Sequence, residues 1–210
     1  MMARRAVSNL LGLASLAVLA TRPMHPYEIV STLQDWNKDD SIKLRYSSVY
    51  TVVESLHRAG FVEPVGVARA GRRPERTVYG ITAAGRAELQ DWLRELISEP
   101  VKEYRTFEAA LALLPVVEPH VVIELLGVRA GQLRHQLEGL RSLLATAAAQ
   151  QLPGLFVVES EYRLALVEAE LAYVDRLAQR IATDQIPHFP VQAWRDYLQP
   201  TTTEELAAEP

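Results

Sequence analysis

The chain has 210 residues, 49% of them apolar and 23% charged, which is room for one large or two small soluble domains and excludes a disordered chain. It contains no cysteine, so a disulfide framework, thiolate chemistry and cysteine metal sites are excluded; a reducing, cytoplasmic location suits that absence. A net charge of −4 argues by itself against a nucleic-acid partner, but residues 1–97 hold 13 Lys+Arg against 10 Asp+Glu, and residues 98–210 hold 9 against 16. A basic first half joined to an acidic second half is expected if only the first half meets phosphate.

The chain opens with two arginines before an apolar run, the pattern of a signal peptide. Ser8, Asn9, Gly12 and Ser15 interrupt that run, and it falls short of the roughly 20 apolar residues of a membrane span. The reading adopted is a buried first helix, Leu10–Ala20, capped by Asn9 or Ser8, with Leu13, Leu16, Ala17 and Ala20 on its inner side. Arg22-Pro23 ends it. A second helix starts at His25-Pro26-Tyr27-Glu28, where proline suits the first turn, and runs to about Leu33 with Tyr27, Ile29, Val30 and Leu33 inward. Residues 35–41 are polar and read as a loop. A third helix, capped by Ser47 or Ser48, extends to about Ala59, where Gly60 stops it; Val49, Val53 and Leu56 mark its core face.

Two β runs follow, Phe61–Val67 and Thr77–Ile81, joined by a loop carrying Arg69, Arg72, Arg73 and Arg76. Gly71 and Pro74 discourage regular pairing at its tip. Thr82 caps a fourth helix, Ala83 to about Ser98, bearing Leu89, Trp92, Leu93 and Leu96, with Ile81 as a staple residue before the cap. Helix, basic hairpin, helix is the order in which a winged helix-turn-helix presents one helix and one wing to duplex DNA.

Glu99-Pro100 marks a domain boundary. Beyond it, Phe107, Ala110, Leu111 and Leu114 form a helix ended by Pro115. A long helix runs from near Pro119 to Gln151 with Val122, Leu125, Leu126, Val128, Leu133, Leu137, Leu140 and Leu144, and Pro153-Gly154 breaks it. The last helix, about Phe156–Ile181, carries Leu164, Val167, Leu171, Val174 and Leu177. Residues 183–210 form a tail in which Trp194, Tyr197 and Leu198 offer a docking point. The two long stripes imply either an intramolecular antiparallel hairpin or a homodimer in which these helices pack on their symmetry mates.

The candidate reader is the third helix. Ser48, Thr51, Val52 and Ser55 lie off its core face, with a hydroxyl or methyl that suits close approach to base edges without naming a base. Lys43 and Arg45 are assigned to phosphate. Arg69, Arg72, Arg73 and Arg76 track phosphate or enter a minor groove, unless the loop is only a solvated turn. Ser47 and Ser48 double as capping candidates. Tyr50 either packs in the core or touches phosphate, and Tyr79 is assigned to the core. The histidines, His25, His57, His120, His135 and His188, are dispersed and form no metal or catalytic set. Neither a phosphate-cradling glycine loop nor a nucleophile elbow is present, and Glu168 and Glu170 read as a solvated face. No enzyme, metal or cofactor is expected.

These residues resemble the PadR family of bacterial transcriptional regulators, the helical part looking like its virulence-activator-like branch. The resemblance rests on Leu10-Leu11-Gly12-Leu13 with Pro23 through Ile29; on Ser48-Val49-Tyr50 through Leu56 and Gly60; and on Gly71-Arg72-Arg73-Pro74 through Tyr79, Thr82 and Gly85. In the second half it rests on Phe107–Leu114 and Glu161-Tyr162-Arg163-Leu164-Ala165 onward. It implies a mostly α architecture: a winged helix-turn-helix DNA-binding domain over residues 1–98, then a helical dimerisation domain over residues 99–182. It further implies a homodimer on an inverted repeat, repressing until a small molecule or signal alters the relative placement of the two reader helices. Tyr50 and Gly60 match framework positions, and Arg72 and Arg73 match the wing tip. Trp92 is either core or an aromatic near an effector cavity. Pro26 stands where the family more often has Gly, and Ser47 and Thr51 replace its Gly and Pro, so a target sequence does not carry over. The alternative is a winged-helix module that docks a protein rather than DNA.

Overall fold

The computed structural model describes residues 7–38, 41, 42, 44, 46–68 and 76–186. The chain divides into two compact units, residues 1–103 and 104–210. Elements run α1 (Leu10–Leu19), α2 (Pro26–Asp35), α3 (Tyr46–Arg58), β1 (Val62–Ala68), β2 (Arg76–Ile81), α4 (Ala83–Ser98), α5 (Thr106–Ala112), α6 (Pro119–Ala149) and α7 (Val158–Ala182). Single 3-10 turns at Leu114–Val116 and Gly154–Phe156 precede the last two helices. None of the described helices is long and apolar enough to cross a membrane.

In the first unit, the helix starts follow from local cap chemistry. The Asn9 side chain accepts from Gly12 N–H at 2.7 Å, and Thr82 Oγ1 accepts from Gly85 N–H at 3.0 Å. At α2 the cap is His25: its Nδ1 accepts from Tyr27 N–H at 3.1 Å, while Glu28 reaches back to His25 N–H at 2.9 Å. This reciprocal pair satisfies amides that the helix cannot, and Pro26 at the first position has none to satisfy. Of the expected inner face of α1, Leu16 is buried, whereas Leu13, Ala17 and Ala20 are only half-buried. Leu11, Ala14, Ser15, Leu16, Val18 and Leu19 are all buried, because α2, α3, α4 and β2 pack around it.

The core joins α1, α2 and α3 through Leu16, Leu19, Ile29, Val30, Leu33, Val49, Val53 and Leu56. Each such side chain contributes about 1.5–3 kcal/mol by leaving water. The hairpin pairs Val62 with Ile81 and Val67 with Thr77, antiparallel, with an irregularity between Pro64 and Gly66. Met24 pairs with Tyr79 through two backbone hydrogen bonds of 3.0 Å, so the residues before α2 are sewn to the hairpin. Two glycines fix the turn out of α3. Gly60 has φ of 76°, and a Cβ on Gly85 would lie 2.1 Å from Phe61 O. Tyr79 is half-buried against this core.

In the second unit, α6 and α7 form an antiparallel hairpin within one chain. Val122, Leu126, Ala130 and Leu133 face Val174, Leu177 and Ile181, and Phe107, Leu111 and Leu114 close one end. Arg129 binds both the Glu170 carboxylate and the face of the Phe107 ring, 3.7 Å from its centre. Arg134 pairs with Asp175 at 2.9 Å and Arg141 with Glu168 at 2.7 Å. Glu168 and Glu170, read from sequence as a solvated face, are therefore ion-paired across the hairpin. Pro115, expected to end α5, sits inside the 3-10 turn instead, and α5 stops at Ala112. Leu125 and Val128, expected in the inner stripe of α6, point outward at 58% and 57% exposure.

Candidate nucleic-acid interface

The expected reader helix exists as α3, and its two faces are cleanly divided. Val49, Val52, Val53 and Leu56 are buried. Ser47, Tyr50, Thr51, Glu54 and Arg58 are exposed, at the i, i+3, i+4, i+7, i+11 spacing of the opposite face. Val52 is thus corrected from a base-facing residue to a core residue, 6% exposed. Three residues after Val49 and four before Leu56, it shares their side of the helix. Ser47 and Ser48 are corrected as caps: α3 already begins at Tyr46, so both lie in its first turn, Ser47 exposed and Ser48 half-buried. Ser55 is half-buried and donates its hydroxyl to Thr51 O at 2.8 Å. Core packing of Tyr50 is ruled out by its 49% exposure; its ring meets His25 edge-on at 5.8 Å. Lys43, Arg45, Arg69, Arg72 and Arg73 lie outside the described residues, as does the tail beyond residue 186.

Of the hairpin arginines, Arg76 is described. Its guanidinium carbon stands 6.0 Å from the centre of the Tyr27 ring, at the start of α2. Tyr27 stacks on Tyr46 at 5.0 Å, and the Tyr46 hydroxyl donates to Gln34 Oε1 at 2.8 Å. Sequence reasoning missed this chain of contacts. It placed Tyr27 on the inner side of α2, whereas Tyr27 is 48% exposed. Arg76, Tyr27 and Tyr46 thereby tie the base of the hairpin to the first turn of the reader helix. The Tyr46 hydroxyl is partly shielded from water and lies beside Tyr27 and Asp35; both effects raise its pKa above 10.0, so it remains a neutral donor. Glu54 and Arg58 were also missed, although the period of the core face points to both.

His25 is buried beneath this patch, and burial lowers its pKa below 6.5. Arg76 acts in the same direction, and Glu28 opposes. Neutral imidazole is also what the cap requires, since Nδ1 must keep a lone pair for Tyr27 N–H. His57 is exposed, with Nδ1 2.9 Å from Val62 O, and its ring lies edge-on to Tyr79. Trp92, on α4, is 4% exposed. Among the described residues no group of three or more His, Cys, Asp or Glu is placed to hold a metal ion.

This fold has relatives of known structure. PadR from Bacillus subtilis in complex with operator DNA matches with a TM-score of 0.67 at 18% identity, over 82% of this chain and 99% of that one. The virulence activator AphA of Vibrio cholerae matches with a TM-score of 0.60 at 19% identity, over 82% and 98%. Bacillus subtilis PadR in complex with p-coumaric acid matches with a TM-score of 0.56 at 18% identity, over 80% and 99%. No curated protein matches the sequence. Residues 16–91, which hold the last turn of α1, then α2, α3, the hairpin and the first half of α4, match the model of the transcriptional regulator PadR-like family. Over those residues the chain is thus similar to the PadR-like family of transcriptional regulators, and its winged helix-turn-helix is followed by an all-helical region.

Proposed function

We propose that the protein is a sequence-specific, homodimeric DNA-binding repressor that acts at an inverted repeat and is released by a small-molecule effector. The observation that carries this reading is the division of α3, whose outward face bears Ser47, Tyr50 and Thr51 beside the base of an arginine-rich hairpin. In this reading residues 1–98 bind DNA: α3 enters the major groove, and Lys43, Arg45, Arg69, Arg72, Arg73 and Arg76 meet phosphate or the minor groove. A relative of the same fold was crystallised with operator DNA, which supports it.

Residues 99–182 serve as the dimerisation domain. Although α6 and α7 cover each other within one chain, Leu125 and Val128 on α6 and Tyr162 and Tyr173 on α7 stay outside that contact. Such exposed apolar rows suit a symmetric partner, and the partner sets the spacing between the two reader helices. In this reading a small-molecule effector binds near Trp92 on α4; that a relative of the same fold was crystallised with p-coumaric acid supports the existence of an effector. Ligand binding that quenches Trp92 emission, in a variant carrying Trp36→Phe and Trp194→Phe, checks that assignment.

The test is titration of the full chain with the duplex upstream of its own gene, against a random duplex of equal length. Tighter binding of the upstream duplex by two chains per site is the expected result. Failure to bind any duplex above the random control, with a stable protein partner recovered instead, overturns the reading in favour of a protein-docking module.

A further inference from the structure

Glu54 is the feature of α3 that a phosphate-binding surface does not explain. It is exposed, three residues after Thr51, four after Tyr50 and four before Arg58, and so sits in the middle of the outward face. Among the described residues its carboxylate has no ion-pair partner. Arg58, one turn on, donates to Ser55 Oγ at 3.4 Å. The packing of α3 rests on the opposite side, on Val49, Val52, Val53 and Leu56, and makes no use of Glu54.

A carboxylate brought against a duplex is repelled by every phosphate within about a Debye length. It is tolerated in the major groove only where it finds a hydrogen-bond donor, and there the donors are the amino groups of cytosine and adenine. The two are not equivalent. The adenine N6 amino group lies between two acceptors, its own N7 and O4 of the paired thymine, whereas the cytosine N4 amino group has an acceptor, guanine O6, on one side only. A carboxylate therefore meets less repulsion at cytosine.

We propose that Glu54 is a specificity-determining residue that selects cytosine at one position of each half-site and rejects duplexes lacking it. This rests on the reading of α3 as the major-groove helix. Glu54 accepts from cytosine N4 in the cognate site; elsewhere its charge weakens binding. It works in opposition to the hairpin arginines, which attract all duplexes alike.

The experiment is selection of bound sites from a random duplex pool by the full-length chain, its Glu54→Gln variant and its Glu54→Ala variant. The wild type is expected to enrich an inverted repeat with cytosine fixed at one position per half-site, preferred about tenfold. Glu54→Gln should move that position toward adenine, whose N6 and N7 match an amide, and Glu54→Ala should leave it unselective. Both variants should bind random duplex more tightly than the wild type. If the wild type enriches a site and both variants enrich it with unchanged base frequencies, the role of Glu54 is overturned and the DNA reading stands. If the wild type enriches nothing, the DNA reading falls and takes this inference with it.

Discussion

His25 joins three features at one ring: the cap of α2, an edge-on contact with Tyr50 of α3, and proximity to Arg76 at the base of the hairpin. Its folded-state pKa lies below its ordinary 6.5, so between the two values the unfolded chain holds the proton more readily. Stability therefore falls as pH drops through about 6.5 toward the folded value, and protonation removes the Nδ1 lone pair from the cap. Thermal unfolding of the wild type should lose more between pH 7.5 and 5.5 than that of His25→Asn, which keeps a capping acceptor and does not titrate. Equal losses would contradict the role given to His25. Gly85 carries a second prediction at this scale. A Cβ there would lie 2.1 Å from Phe61 O, an atom fixed by the hydrogen bond from Thr82 N–H at 3.0 Å. Gly85→Ala should cost about 3 kcal/mol in denaturant unfolding, and a change below about 0.5 kcal/mol would show that the turn can yield.

At the scale of elements, the α6–α7 hairpin has an apolar seam and cross-helix ion pairs such as Arg129–Glu170, Arg134–Asp175 and Arg141–Glu168, and they are not of equal weight. Leu126 is 4% exposed within the seam, so Leu126→Ala should destabilise this unit by about 2–5 kcal/mol. Asp175, paired with Arg134 in the open, should change stability by less than about 1 kcal/mol on conversion to Asn. Chemical denaturation of both variants checks the order, and a larger loss from Asp175→Asn would contradict it. The helix ends could be read because caps are local: Asn9, Pro26 and Thr82 each act within three residues of the amide they satisfy or replace. Burial was harder to read. Nothing within α1 tells that it is surrounded, and the choice of Val49, Val53 and Leu56 as the core face left Val52 to be judged by its methyls. Contacts between elements were not legible at all. Tyr27 and Tyr46 are separated by most of α2 and a loop, and the partners of Glu168 and Glu170 lie 27 and 41 residues away. The outward face of α3 was half legible: Thr51 was placed there and Tyr50 was left between core and phosphate, whereas Glu54 and Arg58 follow only once Val52 is placed inside.

For the whole molecule, the chain divides into two compact units, residues 1–103 and 104–210. The first carries the winged helix-turn-helix that matches the PadR-like family, and in the proposed reading the second holds two copies together. Sedimentation should give twice the chain mass of 23.5 kDa, and replacing the outward Leu125 and Val128 by Gln should shift it toward one chain. A dimer unmoved by that change would place the interface elsewhere. The claim on which the rest depends is that the hairpin arginines meet phosphate while α3 meets bases. Its most direct measurement is the salt dependence of duplex affinity for the wild type, the double variant Arg72→Ala with Arg73→Ala, and Thr51→Ala. Wild-type affinity should fall steeply with salt, and the double variant should bind specific and random duplexes more weakly, with a log–log slope lower by about 2 per chain. Thr51→Ala should keep the wild-type slope and lose affinity only for the specific duplex. An affinity indifferent to salt, or equal losses on specific and random duplex from both variants, would contradict the account.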